Sequence, residues 1–534
     1  MAEPEQFDFI VVGAGSAGCV LANRLSADSR HRVLLLEAGG RDSNPWIHVP
    51  LGYGKHFANP KVNWMYASEP HPASGNRAIP EPRGKVLGGS SSINGLVYVR
   101  GHRADYDVWR QMGNPGWGFE DVLPYFRASE DQQRGGDAFH GVGGPLTVSD
   151  PTDRHALCDA FVAAAGECGY PANEDFNGAE QEGFGYLQFN LRRGRRASAA
   201  TAYLKPARRR GNLKIETQAH VTRVLFDGKR AIGIAYVRGG KPCVAHARGE
   251  VILSGGAINS PQLLQLSGVG APDLLRRHGI DVVHGLHGVG ANLQDHYNAR
   301  LVYRCRQPVT LNDVVGHPVR AVAEGLRYAF ARRGFLTMGA SYAAGFFRQD
   351  EASVTPDIQV GLALFSTDRA GTKLHPFSGF SLIVRLLRPE SRGDVAIESA
   401  DPMRAPAIRP NYLEVPRDAE LLVGGMQATR KIAAAPAMQA FSDGEYLPGA
   451  DCASDADMLD FVRAKGGTSY HPVGTCRMGP GTDAVVDARL RVHGLERLRV
   501  VDASIMPQIV SGNTNAPTIM IGEKAAAMIL EDLR

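Results

Sequence analysis

The run Phe7-Asp8-Phe9-Ile10-Val11-Val12-Gly13-Ala14-Gly15-Ser16-Ala17-Gly18, read with Glu37, decides how this chain begins to fold. Phe7 to Val12 is an apolar run long enough for a buried parallel strand. Val20, Leu21 and Leu25 then recur at helical spacing, and Arg32 to Leu36 reads as a second buried strand. The order is strand, glycine turn, helix, strand. Gly13 makes the tight turn, Gly15 lets backbone approach a pyrophosphate, and Gly18 lets helix and strand pack closely. The helix N-terminus offers free N–H groups to phosphate. Glu37 ends the second strand, where a carboxylate can accept ribose hydroxyls, and no Arg stands beside it for a 2′-phosphate. A dinucleotide site is expected, with NAD and FAD both open at this point.

A chain of 534 residues exceeds one core, so at least two domains are expected. Hydrophobic residues at 43% and charged ones at 21% describe an ordinary globular protein, and a net charge of +4 is too small to indicate a partner. No apolar run reaches the roughly 18 residues of a membrane helix, and the first residues lack the basic and apolar regions of a signal peptide. The seven cysteines are scattered without a CxxC pair, so neither a disulfide framework nor a metal site is expected. A cytoplasmic location follows as an expectation. The basic stretch around Arg192, Arg193, Arg195 and Arg208 to Arg210 has no aromatic ladder, so it reads as a solvated face and not as a nucleic-acid site.

Pro45 to Tyr66 mixes Pro, Gly and aromatic residues, as a lid over a site would. Beyond it, Arg83-Gly84-Lys85-Val86-Leu87-Gly88-Gly89-Ser90-Ser91-Ser92-Ile93-Asn94-Gly95 is a second loop of small residues able to lie against a charged or flat ligand. An NAD enzyme has no use for it, whereas a long FAD molecule does. With the following Leu96 to Gly101, this stretch resembles the first signature of the glucose-methanol-choline (GMC) family of flavin-dependent alcohol oxidoreductases. Ser254-Gly255-Gly256-Ala257-Ile258-Asn259-Ser260-Pro261, running on to Gly270, resembles the second.

The resemblance implies a Rossmann-like α/β FAD-binding domain on a parallel sheet (1–155, 195–305 and 470–534). A substrate domain on a mainly antiparallel sheet (156–194 and 306–469) would roof it. It implies FAD contacts at Gly13, Gly15, Ser16, Ala17, Gly18, Glu37 and Ala38, and then at Arg83, Val86, Gly88, Gly89, Ser90, Asn94, Gly95 and Val97. Val221, Gly255, Asp502, Ala503, Asn513 and Thr514 complete the set. Some family members attach FAD through a histidine just before the signature asparagine. Ile93 stands there, so non-covalent FAD is expected. Asp295-His296 is typical of the family where the chain leaves the flavin domain, with His296 in a structural role.

Near the end, His471-Pro472-Val473-Gly474-Thr475-Cys476-Arg477-Met478-Gly479 matches the family's catalytic histidine motif, making His471 the base for an alcohol proton. Leu498 to Val501 reads as a strand ending in Asp502, and Thr518 to Leu530 as a helix. That helix would direct its positive end at the reduced flavin. Asn515 aligns with the family's second active-site position and also suits a helix N-cap; Asn513 is the alternative. Choline-oxidising relatives carry Glu-Ala-Gly-Gly-Phe where this chain has Tyr342-Ala343-Ala344-Gly345-Phe346. The missing acid favours a neutral primary alcohol, aliphatic or aromatic, as substrate. Electrons would pass to O2 or a quinone, and a quinone-linked enzyme would sit peripherally on a membrane. Choline oxidation and the lyase or photodecarboxylase branches are the competing activities.

Overall fold

In a computed structural model, residues 5–369 and 371–533 are described. The predicted unit forms as β1 (Glu5–Val12), α1 (Ser16–Leu25) and β2 (Val33–Glu37). All five residues of β2 are buried, as continuous apolar runs in a doubly covered parallel sheet must be. Three later strands follow one another: β3 (Leu213–Thr217), β4 (Ala219–Asp227) and β5 (Arg230–Arg238). Next come the long β6 (Lys241–Leu253) and helix α2 (Gly256–Leu266). The sheet order is β3-β2-β1-β6-β5-β4, with Leu498–Val500 pairing beside β6. Pairing is parallel among β3, β2, β1, the end of β6 and Leu498–Val500. It is antiparallel where β4, β5 and the first half of β6 form a meander. The carboxyl ends of β1, β6 and Leu498–Val500 therefore meet on one edge, where open α/β sheets bind ligands.

A second sheet is antiparallel throughout. Strand β7 (Tyr297–Cys305) opens it, followed by helix α3 (Pro318–Ala331) and strands β8 (Ala343–Phe347), β9 (Ile358–Ala363) and β10 (Gly379–Leu386). The order runs Ser442–Leu447, β7, β10, β9, β8, Gly183–Tyr186. The chain thus crosses to this sheet before Tyr297, not at 305 as the sequence suggested: Asn298 to Arg304 pair continuously with β10. Each sheet has its own apolar cluster.

Candidate active site

Between the two sheets lies a cavity of about 890 Å³. Its nucleotide end is built from small residues. A Cβ on Gly18 would come 1.9 Å from the Gly13 carbonyl oxygen, so helix α1 can seat against the turn only because Gly18 has none. The second loop rests directly on the first. Gly88 N–H donates to the Ala14 carbonyl at 2.8 Å, and a Cβ on Gly89, at φ +52°, would stand 2.7 Å from Gly15 Cα. Gly15 caps α1 without a side-chain acceptor, leaving the first N–H groups of the helix for a ligand. This cradle fits a pyrophosphate.

Glu37 is buried and accepts the N–H of Ala14 at 3.0 Å and of Gly39 at 2.8 Å. Burial pushes its carboxyl up to about 7. Each oxygen keeps a second lone pair for a ribose hydroxyl. Asp502 accepts from Gly256 N–H at 2.8 Å, Ser260 Oγ at 2.6 Å and Ser504 N–H at 2.8 Å. It pins the start of α2 to the end of Leu498–Val500. Ala38, Asn94, Gly95, Val97, Val221, Gly255, Ala503 and Thr514 also line the cavity, as do Ser16, Ala17, Arg83 and Ser90.

Three expected contacts do not line it. Gly18 and Gly88 act in backbone packing, as above. The Val86 side chain turns away into a cluster with Ile47, Val62 and Ile93.

His471 follows Tyr470, whose φ of +66° is unusual for a bulky residue. Arg83 Nη2 donates to the Tyr470 carbonyl at 2.6 Å, and Tyr470 N–H donates to Thr468 Oγ1 at 2.6 Å, holding that turn. His471 N–H donates to Asp295 Oδ1 at 2.7 Å. The imidazole is bracketed on both sides: Nδ1 lies 3.0 Å from His296 Nδ1, and Nε2 lies 3.0 Å from Asn513 Nδ2. His296 Nε2 is 3.0 Å from the Leu387 carbonyl. One assignment satisfies all three contacts. His296 Nε2–H donates to Leu387, His471 Nδ1–H donates to His296, and the His471 Nε2 lone pair accepts from Asn513. Burial, then His296 and Arg385, hold the His471 imidazole well below its ordinary range; His296 is pushed down to about 3 by burial and Arg385. Both rings are neutral near pH 7.

Asn513, the alternative, is the asparagine that contacts the histidine, whereas Asn515, expected there first, bonds elsewhere. Helix α4 (Asn515–Asp532) begins at Asn515, with Thr514 as its cap, so Asn515 is no N-cap either. Its Oδ1 accepts from Ser16 Oγ at 2.8 Å, tying α4 to α1. Asn513, still in the turn, reaches the imidazole, and its buried Oδ1 has no partner among the described residues.

Two further features escaped the sequence reading. Beneath His471, Tyr412 OH lies 2.5 Å from Asp295 Oδ2 and 2.8 Å from Glu81 Oε1, with Thr468 Oγ1 also bonding Asp295. Above, Asn298, Arg300, Gln359, Ile383 and Arg385 line the cavity from one face of the antiparallel sheet. Among the described residues no cluster of three His, Cys, Asp or Glu side chains could hold a metal ion.

Comparison with known proteins agrees with this fold. The family model for GMC oxidoreductase matches residues 7–298 with its N-terminal part and 389–522 with its C-terminal part. Mitochondrial choline dehydrogenase of Mus musculus is 45% identical, covering 98% of this chain and 89% of that protein. Alcohol dehydrogenase [acceptor] of Pseudomonas putida is 44% identical, covering 98% and 96%. Among solved structures, pyridoxine 4-oxidase from Mesorbium loti superposes with a TM-score of 0.89 at 34% identity, covering 98% of each chain. A formate oxidase crystal structure gives 0.93 at 28% identity, covering 100% of this chain and 99% of that one.

Proposed function

This chain belongs to the GMC oxidoreductase family, and from that premise we propose that it oxidises a primary alcohol to the aldehyde with His471 as base. It is an oxidoreductase of CH–OH donors and binds FAD. The observation that carries the assignment of roles is the His296–His471–Asn513 chain, which leaves a neutral imidazole with its Nε2 lone pair at the cavity. A substrate hydroxyl takes the place of the Asn513 amide at Nε2 and gives up its proton there. A positioned general base of this kind is worth about 10²–10⁴ in rate. Asn513 then bonds the substrate oxygen. The Gly15, Ser16 and Ser90 backbone with Glu37 and Asp502 would hold FAD, which when bound would supply the acceptor for the hydride of the carbinol carbon. Ile93 precedes Asn94, and non-covalent attachment is part of the proposal. The acceptor of the electrons is O2 or a quinone. No described helix is long and apolar enough to cross a membrane.

Choline is the second reading, because the Mus musculus relative, 45% identical to this chain, is named a choline dehydrogenase. Against it stands the cavity roof, which presents Arg300 and Arg385 to the substrate. A quaternary ammonium gains nothing from two guanidiniums. Anaerobic spectra of the holoenzyme with a panel of primary alcohols and choline test both readings. Flavin bands that bleach with an alcohol support alcohol oxidation, and recovery in air identifies O2 as acceptor. Bleaching by choline alone would establish the second reading, and no bleaching by either would favour a non-redox branch of the family.

A further inference from the structure

Arg300 on β7 lies opposite Ile383, and Arg385 on β10 lies between Asn298 and Gln359 on the neighbouring strands. Alternation along each strand puts both guanidiniums on the face that looks into the cavity. Their partners are neutral. Arg300 Nη1 donates to Ser381 Oγ at 3.2 Å, Arg385 Nε to Ser469 Oγ at 2.8 Å, and Arg385 Nη1 to Gln359 Oε1. Their remaining N–H groups have no partner among the described residues. The acid that acts on Arg385 through space is Asp295, whose oxygens are already taken by Thr468, Tyr412 and the His471 amide. Burial pushes Arg385 down to about 10 and lowers Arg300 as well, the expected cost of two half-buried cations without an anionic hydrogen-bond partner. A cavity wall that bears this cost without a carboxylate of its own is built to receive one.

Resting on the alcohol-oxidation reading above, we infer that Arg300 and Arg385 form an anion subsite and that the preferred alcohols carry a carboxylate. Guanidiniums match carboxylates in bidentate geometry. Ser469, which anchors Arg385, is two residues from His471, so the anion and the hydroxyl face the same end of the cavity. The test compares 4-(hydroxymethyl)benzoate with benzyl alcohol as reductant of the holoenzyme flavin, and measures benzoate binding by calorimetry. The acid is expected to exceed benzyl alcohol in kcat/KM by at least about tenfold. In Arg300→Gln and Arg385→Gln this ratio should fall and benzoate binding weaken, with Arg385→Lys restoring part of both. Oxidation of benzyl alcohol with no preference for the acid overturns the subsite and leaves the activity standing. If no alcohol reduces the flavin, the activity fails, and benzoate binding with its dependence on the two arginines decides the subsite by itself.

A separate observation concerns helix α3. Tyr328 is its one buried residue, while Val319, Val322, Leu326 and Phe330 are 70%, 63%, 53% and 87% exposed. At 3.6 residues per turn these four fall within an arc of about 80°, roughly opposite Tyr328. An apolar stripe therefore points away from the protein. Basic residues flank it: Arg320 and Arg327 lie along one side, and Arg332 and Arg333 at its end. The basic hairpin carrying Arg192, Arg193 and Arg195 abuts that end, since a Cβ on Gly194 would stand 2.5 Å from the Arg332 carbonyl. Arg327 and Arg333 share Asp153; among the described residues Arg192, Arg193, Arg195, Arg320 and Arg332 have no acidic partner. Just before the helix, Val315 lines the cavity mouth.

We propose that α3 docks on an anionic lipid surface, its stripe among the acyl chains and its arginines at the headgroups, which sets the cavity mouth toward the bilayer. The holoenzyme is expected to co-sediment with phosphatidylcholine vesicles containing phosphatidylglycerol and much less with pure phosphatidylcholine, and to be released by high salt. The Leu326→Asp/Phe330→Asp double variant should bind at least about tenfold more weakly while turning over a small water-soluble alcohol as before. Absence of vesicle binding, or binding that the double variant leaves intact, overturns the proposal. So does a dimer in light scattering that the double variant converts to monomer, because a second copy would then be what covers the stripe.

Discussion

His471 Nδ1 faces His296 Nδ1 at 3.0 Å, and this contact sets which nitrogen of the base is free. His296 spends its own N–H on the Leu387 carbonyl, so it can only accept. His471 must then carry its proton on Nδ1 and keep Nε2 basic. The contact also orients the ring, since a hydrogen bond at one ring nitrogen fixes tautomer and angle together.

The expected pH profile follows from the depressed imidazole. A base is competent when neutral, and a lowered pKa keeps it neutral at lower pH. The kcat/KM for alcohol oxidation should stay level from pH 8 down past the ordinary histidine value of about 6.5 and fall only below it. His296→Ala removes both the acceptor and a neighbour that depresses His471. Its kcat should drop on the order of 10²-fold or more through the wrong tautomer, and its acid limb should move up in pH. A rate loss with an unmoved acid limb would mean that His296 supports packing alone.

Asn513 and Asn515 should separate cleanly. Asn513→Ala removes the group at His471 Nε2 and is expected to lower kcat by about 10²-fold, with flavin content intact. Asn515→Ala removes the bond from Ser16 that joins α4 to α1, costing about 1 kcal/mol of stability and loosening FAD, with kcat of the flavin-loaded fraction little changed. Stopped-flow flavin reduction and flavin content measure the two effects. The reverse pattern would return the catalytic role to Asn515.

That pair also marks the limit of what the sequence made legible. The nucleotide half could be read because its signals are local: a buried run, glycines whose spacing the turn dictates, and an acid at the end of the next strand. Gly13, Gly18 and Glu37 stand where such a turn needs them. Asn513 and Asn515, two residues apart, differ only in whether the helix has begun, and neither local propensity nor the motif fixes that boundary. Val86 looked like part of a ligand loop because its neighbours are small, yet its own branched side chain packs inward. The roof was illegible for a different reason. Arg300 and Arg385 become a pair only through the register of β7 and β10, a long-range pairing that composition and periodicity do not reveal.

The Glu81–Tyr412–Asp295 cluster yields the last prediction. Tyr412 has one hydroxyl proton and two carboxyl groups within reach, at 2.8 and 2.5 Å. Two buried carboxylates sharing one donor cannot both ionise cheaply. Burial, then Asp295, raises Glu81, and burial raises Asp295 as well. Asp295 holds the His471 amide and accepts from Thr468, so Glu81 is the group that keeps a proton. A carboxyl whose pKa is raised by folding binds more protons folded than unfolded, and stability then falls as pH rises. The contribution is fully present below the ordinary glutamate value of about 4.3 and is lost as pH climbs through the raised value. Glu81→Gln keeps the neutral shape without the titration, so its melting temperature should decline less than that of the parent chain as pH rises. Tyr412→Phe leaves both acids without their shared donor and should cost about 1–3 kcal/mol, most severely at high pH. Thermal melts across pH decide it: parallel pH dependence in the parent and Glu81→Gln would show that Glu81 is ionised throughout and that the proton sits elsewhere in the cluster.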